Sequence, residues 1–161
     1  MAAELRDAGP DDRPFLEQML LVTANWTGEQ RVTPEVIRQT PELWHYLEGW
    51  MRPSDFGVIA SQDGRPTGGA WARLLPESDP GYGFVSADTP EISIGILDGH
   101  RGGGVGRALL GALLESARTR GLPGISLSVE DGNDAARRLY ESLGFAVVGR
   151  VGGSDIMLLR F

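Results

Sequence analysis

The chain of 161 residues contains no cysteine. Disulfides, thiolate metal sites and a cysteinyl acyl-enzyme are thereby excluded. The same absence fits a reducing compartment, and a cytoplasmic location is the expectation. Only two histidines are present, His45 and His100, and neither has partners at metal-ligand spacing, so no metal is expected. No run approaches the ~18 apolar residues of a membrane span, and Met1-Ala2-Ala3-Glu4 does not begin a signal peptide. A surplus of basic residues is also missing: 15 Lys and Arg stand against 22 Asp and Glu, a net charge of −7. An acidic chain gains little from counterion release on a phosphate backbone, so neither nucleic acid nor membrane is an expected partner. Repeats and low-complexity tracts are absent. What remains is 41% hydrophobic and 23% charged, ordinary for one globular domain over residues 1–161 with a sizeable core.

Against that even background, glycine is concentrated at one place. Arg101-Gly102-Gly103-Gly104-Val105-Gly106 joins two periodic segments. Before it, Ile92, Ile94 and Ile96 alternate with Glu91, Ser93 and Gly95, which is strand period. After it, Val105, Ala108, Leu109, Ala112 and Leu113 recur at helix period. A strand-to-helix turn made of glycines lets bare backbone approach a ligand. The free N–H groups and dipole of the following helix then favour an anion such as a phosphate. A plain turn needs one glycine, and further ones add an entropic cost without return. The dinucleotide fingerprint Gly-x-Gly-x-x-Gly fails, because its third glycine position is Arg107 or Leu109 depending on register. A Walker loop fails for want of Gly-Lys-Ser/Thr.

The rest of the chain supplies the frame. A short strand around Leu5 leads to Pro10-Asp11-Asp12, where either aspartate can cap a helix with an apolar face of Phe15, Leu16, Met19 and Leu20. Thr33-Pro34 and Thr40-Pro41 each place a hydroxyl before a proline at a first helical position. Leu43, Trp44, Leu47 and Trp50 follow as an apolar stripe. Phe56 to Ser61, the turn Asp63-Gly64 and Thr67 to Leu75 read as a hairpin. The proline-bearing stretch from Pro76 to Pro90 is a long loop of the kind that often carries function. Beyond the glycine turn, a helix runs to Arg120 and a strand spans Ile125 to Val129. A helix capped by Asn133-Asp134 follows, then two closing strands. The order β-α-α-β-β-β-α-β-α-β-β describes an α/β or α+β fold, a sheet with helices on both faces.

Arg101-x-x-Gly104-x-Gly106 resembles the pyrophosphate-binding motif of the GNAT superfamily of N-acetyltransferases. A second match lies about 30 residues on. Asn133-x-x-Ala136-x-x-Leu139-Tyr140-x-x-x-Gly144-Phe145 is similar to the family's later helix, the one that carries a tyrosine acid. The resemblance is specific over residues 91–145 and loose elsewhere. It implies a mixed central sheet of about six to seven strands and acetyl-CoA as cosubstrate, bound where two parallel strands splay apart. Backbone of Ile94, Gly95 and Ile96 would then pair with the pantetheine arm. Arg101 and the amides of Gly102, Gly103, Gly104, Val105, Gly106 and Arg107 would hold the pyrophosphate, with the Arg107 guanidinium as a further contact. Asn133 would bond the pantetheine or cap its helix.

By the same resemblance Tyr140 is the general acid for the departing thiolate; packing its ring on the sheet is the alternative. Glu91 stands where some members place a catalytic glutamate, and an ordinary strand-end carboxylate is the other reading. Glu130 is a second candidate base. The family builds its acceptor pocket from the first helices and the loop before the central strand. Those regions carry Trp26, Trp44, Trp50, Tyr82 and Phe84, with Glu29, Glu77, Asp79 and Asp88, which would suit a cationic amine. The implied activity is direct acetyl transfer to a primary amine, of a small molecule or a peptide, in a ternary complex. A non-catalytic acyl-CoA sensor of the same fold is the rival. Many relatives are dimers, so the resemblance also allows a homodimer.

Overall fold

The computed structural model describes residues 3–161, so Met1 and Ala2, the start of the stretch judged not to be a leader, lie outside it. Seven strands form one sheet in the order β1-β2-β3-β4-β5-β7-β6. They are β1 (Glu4–Asp7), β2 (Phe56–Gln62), β3 (Arg65–Arg73), β4 (Glu91–Ile96), β5 (Gly124–Glu130), β6 (Ala146–Val151) and β7 (Ser154–Arg160). All neighbours are antiparallel except β4 and β5. The helices are α1 (Arg13–Ala24), α2 (Pro34–Gln39), α3 (Pro41–Trp44), α4 (Val105–Thr119) and α5 (Asp134–Ser142), with a short 3-10 turn at Pro10–Asp12. Three helices therefore precede β2 where the sequence pattern suggested two. The second Thr-Pro pair starts a separate single turn because Thr40 is extended and breaks the run.

The sheet is covered on both faces. On one, Leu109, Leu110 and Leu113 of α4 and Tyr140 of α5 pack on Ile92, Ile125, Leu127 and Met157. On the other, Leu16, Met19 and Leu20 of α1 join Ile37, Leu47, Trp50, Ile59 and Trp71. Each such side chain adds on the order of 1.5–3 kcal/mol on burial, so both layers are fixed to the sheet. Strand alternation divides β4 between the faces. Ile92, Ile94 and Ile96 meet α4, while Glu91, Ser93 and Gly95 turn toward α1. At Gly95 the fit is close: an added Cβ would lie 2.7 Å from the Met19 carbonyl oxygen. Only glycine lets α1 sit this near β4.

Local caps differ in part from the sequence reading. Thr33 accepts from the Val36 N–H at 3.2 Å, as a cap should. The Thr40 hydroxyl instead donates back to the Val36 carbonyl at 2.6 Å. Asp12 accepts from the Gly9 N–H at 2.7 Å and takes both arms of the Arg6 guanidinium, rather than capping α1. Asn133 stands at the N-cap of α5 but makes no side-chain cap bond. Apart from His45–Asp79, the ion pairs among the described residues are all made by arginine, for the chain has no lysine.

The parallel pair shapes the site. β4 and β5 are in register only at Glu91 and Ser126, where the Ser126 N–H reaches the Pro90 carbonyl at 3.0 Å. Beyond this point they diverge, and the backbone groups along the gap lose their strand partners.

Candidate active site

A cavity of about 1060 Å³ follows that gap. It runs from the glycine turn at the head of α4, past Tyr140, to Glu91, Tyr46 and Trp26 on the α1 side. The two halves have different chemistry.

At the α4 end the backbone dominates. Gly102 and Gly104 adopt φ of 80° and 84°, left-handed values that disfavour other residues, and the missing Cβ atoms of Gly102, Gly103 and Gly104 would all meet open space. Ala108 N–H is bonded to the Gly104 carbonyl. The N–H groups of Val105, Gly106 and Arg107 precede that first bond and lack helical partners. Gly106 has a second reason to be glycine: its Cβ would press on Leu139 and Ile96 at 3.2 and 3.3 Å. Val105 is half-buried against the core. The arginines are engaged within the protein. Arg101 Nε donates to the Ile96 carbonyl at 3.2 Å, and its Nη2 is 3.4 Å from Asp98. Arg107 donates to the Ser142 hydroxyl, tying α4 to the end of α5.

Along β4, the Leu97 N–H bonds to Thr67 on β3 at 2.9 Å. The alternation that follows sends the polar groups of Gly95 to β3 and those of Ile94 and Ile96 into the gap. Gly95 thus lines the wall but offers no free amide. The Ile94 carbonyl already accepts from the Thr23 hydroxyl at 2.7 Å. The N–H groups of Ile94 and Ile96 therefore remain as the strand's free donors. Across the gap stand Asn133 and Tyr140 of α5. The Tyr140 hydroxyl makes no hydrogen bond to a described residue, and burial alone pushes its pKa up to about 12. Its ring meets Phe145 edge-on at 6.0 Å.

The other half is built around a buried carboxylate. Glu91 is 2% exposed. Its Oε2 accepts from Gly81 N–H at 3.0 Å, and its Oε1 accepts from Gly83 N–H at 2.9 Å and from the Tyr46 hydroxyl at 3.3 Å. Burial raises the pKa of Glu91, while the two amides and the phenol act to lower it. Both glycines are required by contact. A Cβ on Gly81 would fall 2.2 Å from Glu91 Oε1, and one on Gly83 would fall 2.5 Å from the Leu127 carbonyl carbon. The loop before β4 is thus wrapped on the carboxylate. Glu130, the second candidate base, is occupied: Arg31 holds it at 3.0 Å by both oxygens and Trp26 Nε1 donates at 2.7 Å. The Arg31 hydrogen bond keeps its carboxyl below the usual range, and the contacts clamp the segment after α1 to β5.

The aromatics expected at the acceptor side separate. Trp26 and Tyr82 line the cavity, whereas Trp50 is core, with its Nε1 on the Gly9 carbonyl at 3.0 Å. Trp44 packs half-buried beside that core, and Phe84 lines a smaller surface groove of about 330 Å³ with Tyr82. The acids expected there do not line the cavity. Glu29, Glu77, Asp79 and Asp88 are exposed, Asp79 is bonded to His45 Nδ1 at 2.9 Å, and Asp88 bonds Ser86. Loop composition misled because acids in a loop point to water unless something holds them inward. His100 lies in the turn before Arg101, as expected. The residues that sequence reading missed are Tyr46, Arg31 and Thr23, whose partners are 45, 99 and 71 positions away. No local pattern marks such pairs.

Comparison with known proteins agrees with this geometry. The profile of the Acetyltransferase (GNAT) family matches residues 23–145. A mycothiol acetyltransferase of Nocardiopsis dassonvillei is 36% identical over 141 residues, which are 86% of this chain and 40% of that protein. The chain thus spans well under half the length of that relative. An L-methionine sulfoximine/L-methionine sulfone acetyltransferase of Pseudomonas aeruginosa is 29% identical over 160 residues, 94% of this chain and 84% of that protein. Among solved structures, yncA from Salmonella typhimurium, determined with acetyl-CoA, superposes with a TM-score of 0.73 at 23% identity, covering 99% of this chain and 94% of the other. The fold is shared with that solved structure, and the chain belongs to the GNAT family of acetyltransferases.

Proposed function

We propose that the protein transfers an acetyl group from acetyl-CoA directly to the primary amine of a small molecule, with Tyr140 at the leaving sulfur and Glu91 drawing the amine proton. One observation carries this reading: a single cavity joins the glycine cradle of α4 to Tyr140 and to the buried Glu91 through the gap between β4 and β5.

The residues present fit acetyl-CoA. The unpartnered amides at the head of α4 suit a pyrophosphate. The free N–H groups of Ile94 and Ile96 suit an extended amide-bearing arm laid along the strand. Asn133, uncommitted as a cap, is available to the same arm. When bound, acetyl-CoA supplies an acyl group activated as a thioester.

The acceptor must lose a proton before attack. At pH 7 an alkyl ammonium of pKa ~10.4 costs about 4.6 kcal/mol to deprotonate. Glu91 meets this need. Burial pushes its pKa up, toward that of a base able to take and release a proton, and the two backbone amides and the phenol offset part of that rise. With three donors already on it, Glu91 reaches the amine through a water in the cavity. Tyr140 serves the other end. A phenol pushed up to about 12 stays protonated throughout the physiological range, and its free hydroxyl can donate to the charge developing on sulfur.

The Pseudomonas relative, aligned over nearly the whole chain, is named for amino-acid analogues, which supports a small-molecule amine. A peptide amine is the alternative. With Arg31 neutralised by Glu130, the mouth carries no surplus of acid to select cations. Release of free CoA thiol across a panel of neutral, cationic and carboxylate-bearing amines tests the substrate class. Turnover restricted to peptide N-termini overturns the small-molecule reading. In the same assay Glu91→Gln should lower kcat by about 10²-fold or more near neutral pH, the range for loss of a general base. Unchanged kcat removes Glu91 from the reaction.

A further inference from the structure

Three consecutive residues of the loop before β4 direct their amides at Glu91 or at the phenol bonded to it. Gly81 and Gly83 donate to Glu91 directly. The amide between them, of Tyr82, donates instead to the Tyr46 oxygen at 2.7 Å. The Tyr46 hydrogen then has one acceptor in reach, Glu91 Oε1 at 3.3 Å. With Glu91 ionised the direction of this chain is fixed, because an N–H only donates and a carboxylate only accepts.

Tyr46 is itself firmly held. It is 8% exposed, its carbonyl accepts from Trp71 Nε1 at 2.9 Å, and its ring stands edge-on to His45 at 4.6 Å. The Arg73 guanidinium binds the carbonyl of His45 on one side of it and that of Glu48 beyond. Arg73 is paired across the strands with Glu91 and is charge-balanced by buried Asp55. One end of the relay is thus braced by β3 and the other is the loop.

We propose that Tyr46 is a positioning residue: it couples the loop at Gly81–Gly83 to Glu91 and holds the carboxylate in place for its work on the amine. This rests on Glu91 being the base. The other titratable or charged groups around Glu91 are His45 with Asp79 beside Tyr46, Tyr82 on the loop, and Arg73 with Asp55 on β3. β5 presents Ser126, and α1 presents Leu20 and Thr23, none of which titrates.

The test is the pH dependence of kcat/KM for Tyr46→Phe, which keeps the ring and removes the donor. Losing a hydrogen bond to the charged form moves the acidic limb upward by about one pH unit, a tenfold loss on the acidic side with recovery toward alkaline pH. In a Glu91→Gln background the same substitution should change kcat less than about twofold, since acting through Glu91 leaves it nothing further to lose. Should Tyr46→Phe fold poorly, 3-fluorotyrosine at position 46 retains the contact and donates more strongly, so it moves the limb to lower pH. An unmoved limb, or a loss equal at every pH, overturns the inference. If Glu91→Gln abolishes turnover while both Tyr46 variants keep the native limb, the base stands and only the coupling fails. Full activity in Glu91→Gln removes both.

Discussion

The two reacting ends of the cavity rest on side chains whose surroundings set opposite demands. Tyr140 is desolvated with nothing to lower its pKa, so its proton is held too tightly for full transfer to a thiolate of pKa ~8.5. On the proposed function it acts by hydrogen bonding to developing charge. Tyr140→Phe should therefore leave CoA affinity near its native value and lower kcat by about 10²-fold, measured by calorimetry and thiol release. Because its neutral form persists up to about pH 12, Tyr140 contributes no alkaline decline to kcat below pH 10. A decline near pH 9 that vanishes in Tyr140→Phe contradicts this. Glu91 differs: burial pushes its pKa up, and three donors offset only part of that rise. Sequence parity alone put Glu91 on the face opposite the isoleucines. It did not show that the carboxylate is buried, because that depends on a loop ten residues upstream folding back on it.

At the level of elements, the glycine turn and α5 were readable because their signals are local. Gly102 and Gly104 need left-handed backbone, and Gly144 ends α5 with φ of 102°. Since nothing lies within 4 Å of where a Gly104 side chain would start, Gly104→Trp costs the fold mainly its backbone strain, on the order of 1 kcal/mol. The indole would fill the approach to the amides of α4. Loss of measurable CoA binding with a cooperative thermal transition retained is the expected result. Tight binding in that variant contradicts a pyrophosphate at this turn. The segment after α3 was not readable. Its order comes from Arg73, 1% exposed, which gathers Asp55 and two carbonyls from a distance. Arg73→Leu leaves Asp55 buried and unpaired, at a cost of about 3–5 kcal/mol by urea denaturation. A loss under 1 kcal/mol would mean that water replaces the guanidinium.

For the whole molecule, element order and the strand-helix alternation were enough to specify a sheet covered on both faces. They did not specify where the sheet opens. Beside that opening, Gly95 admits α1 against β4 and Gly83 lies on the backbone of Leu127, two contacts set by the absence of a side chain. Charge was legible only in sum. The acids counted near the acceptor side face solvent, and the cations that matter are bound to partners inside the protein.

Those cations lead to one more consequence. With arginine serving every ion pair that lysine might have made, no side chain in these 161 residues offers a primary amine. On the proposed function, a thioester bound in the cleft thus meets no lysine to modify. Amine-directed crosslinkers or dyes find no lysine on which to attach.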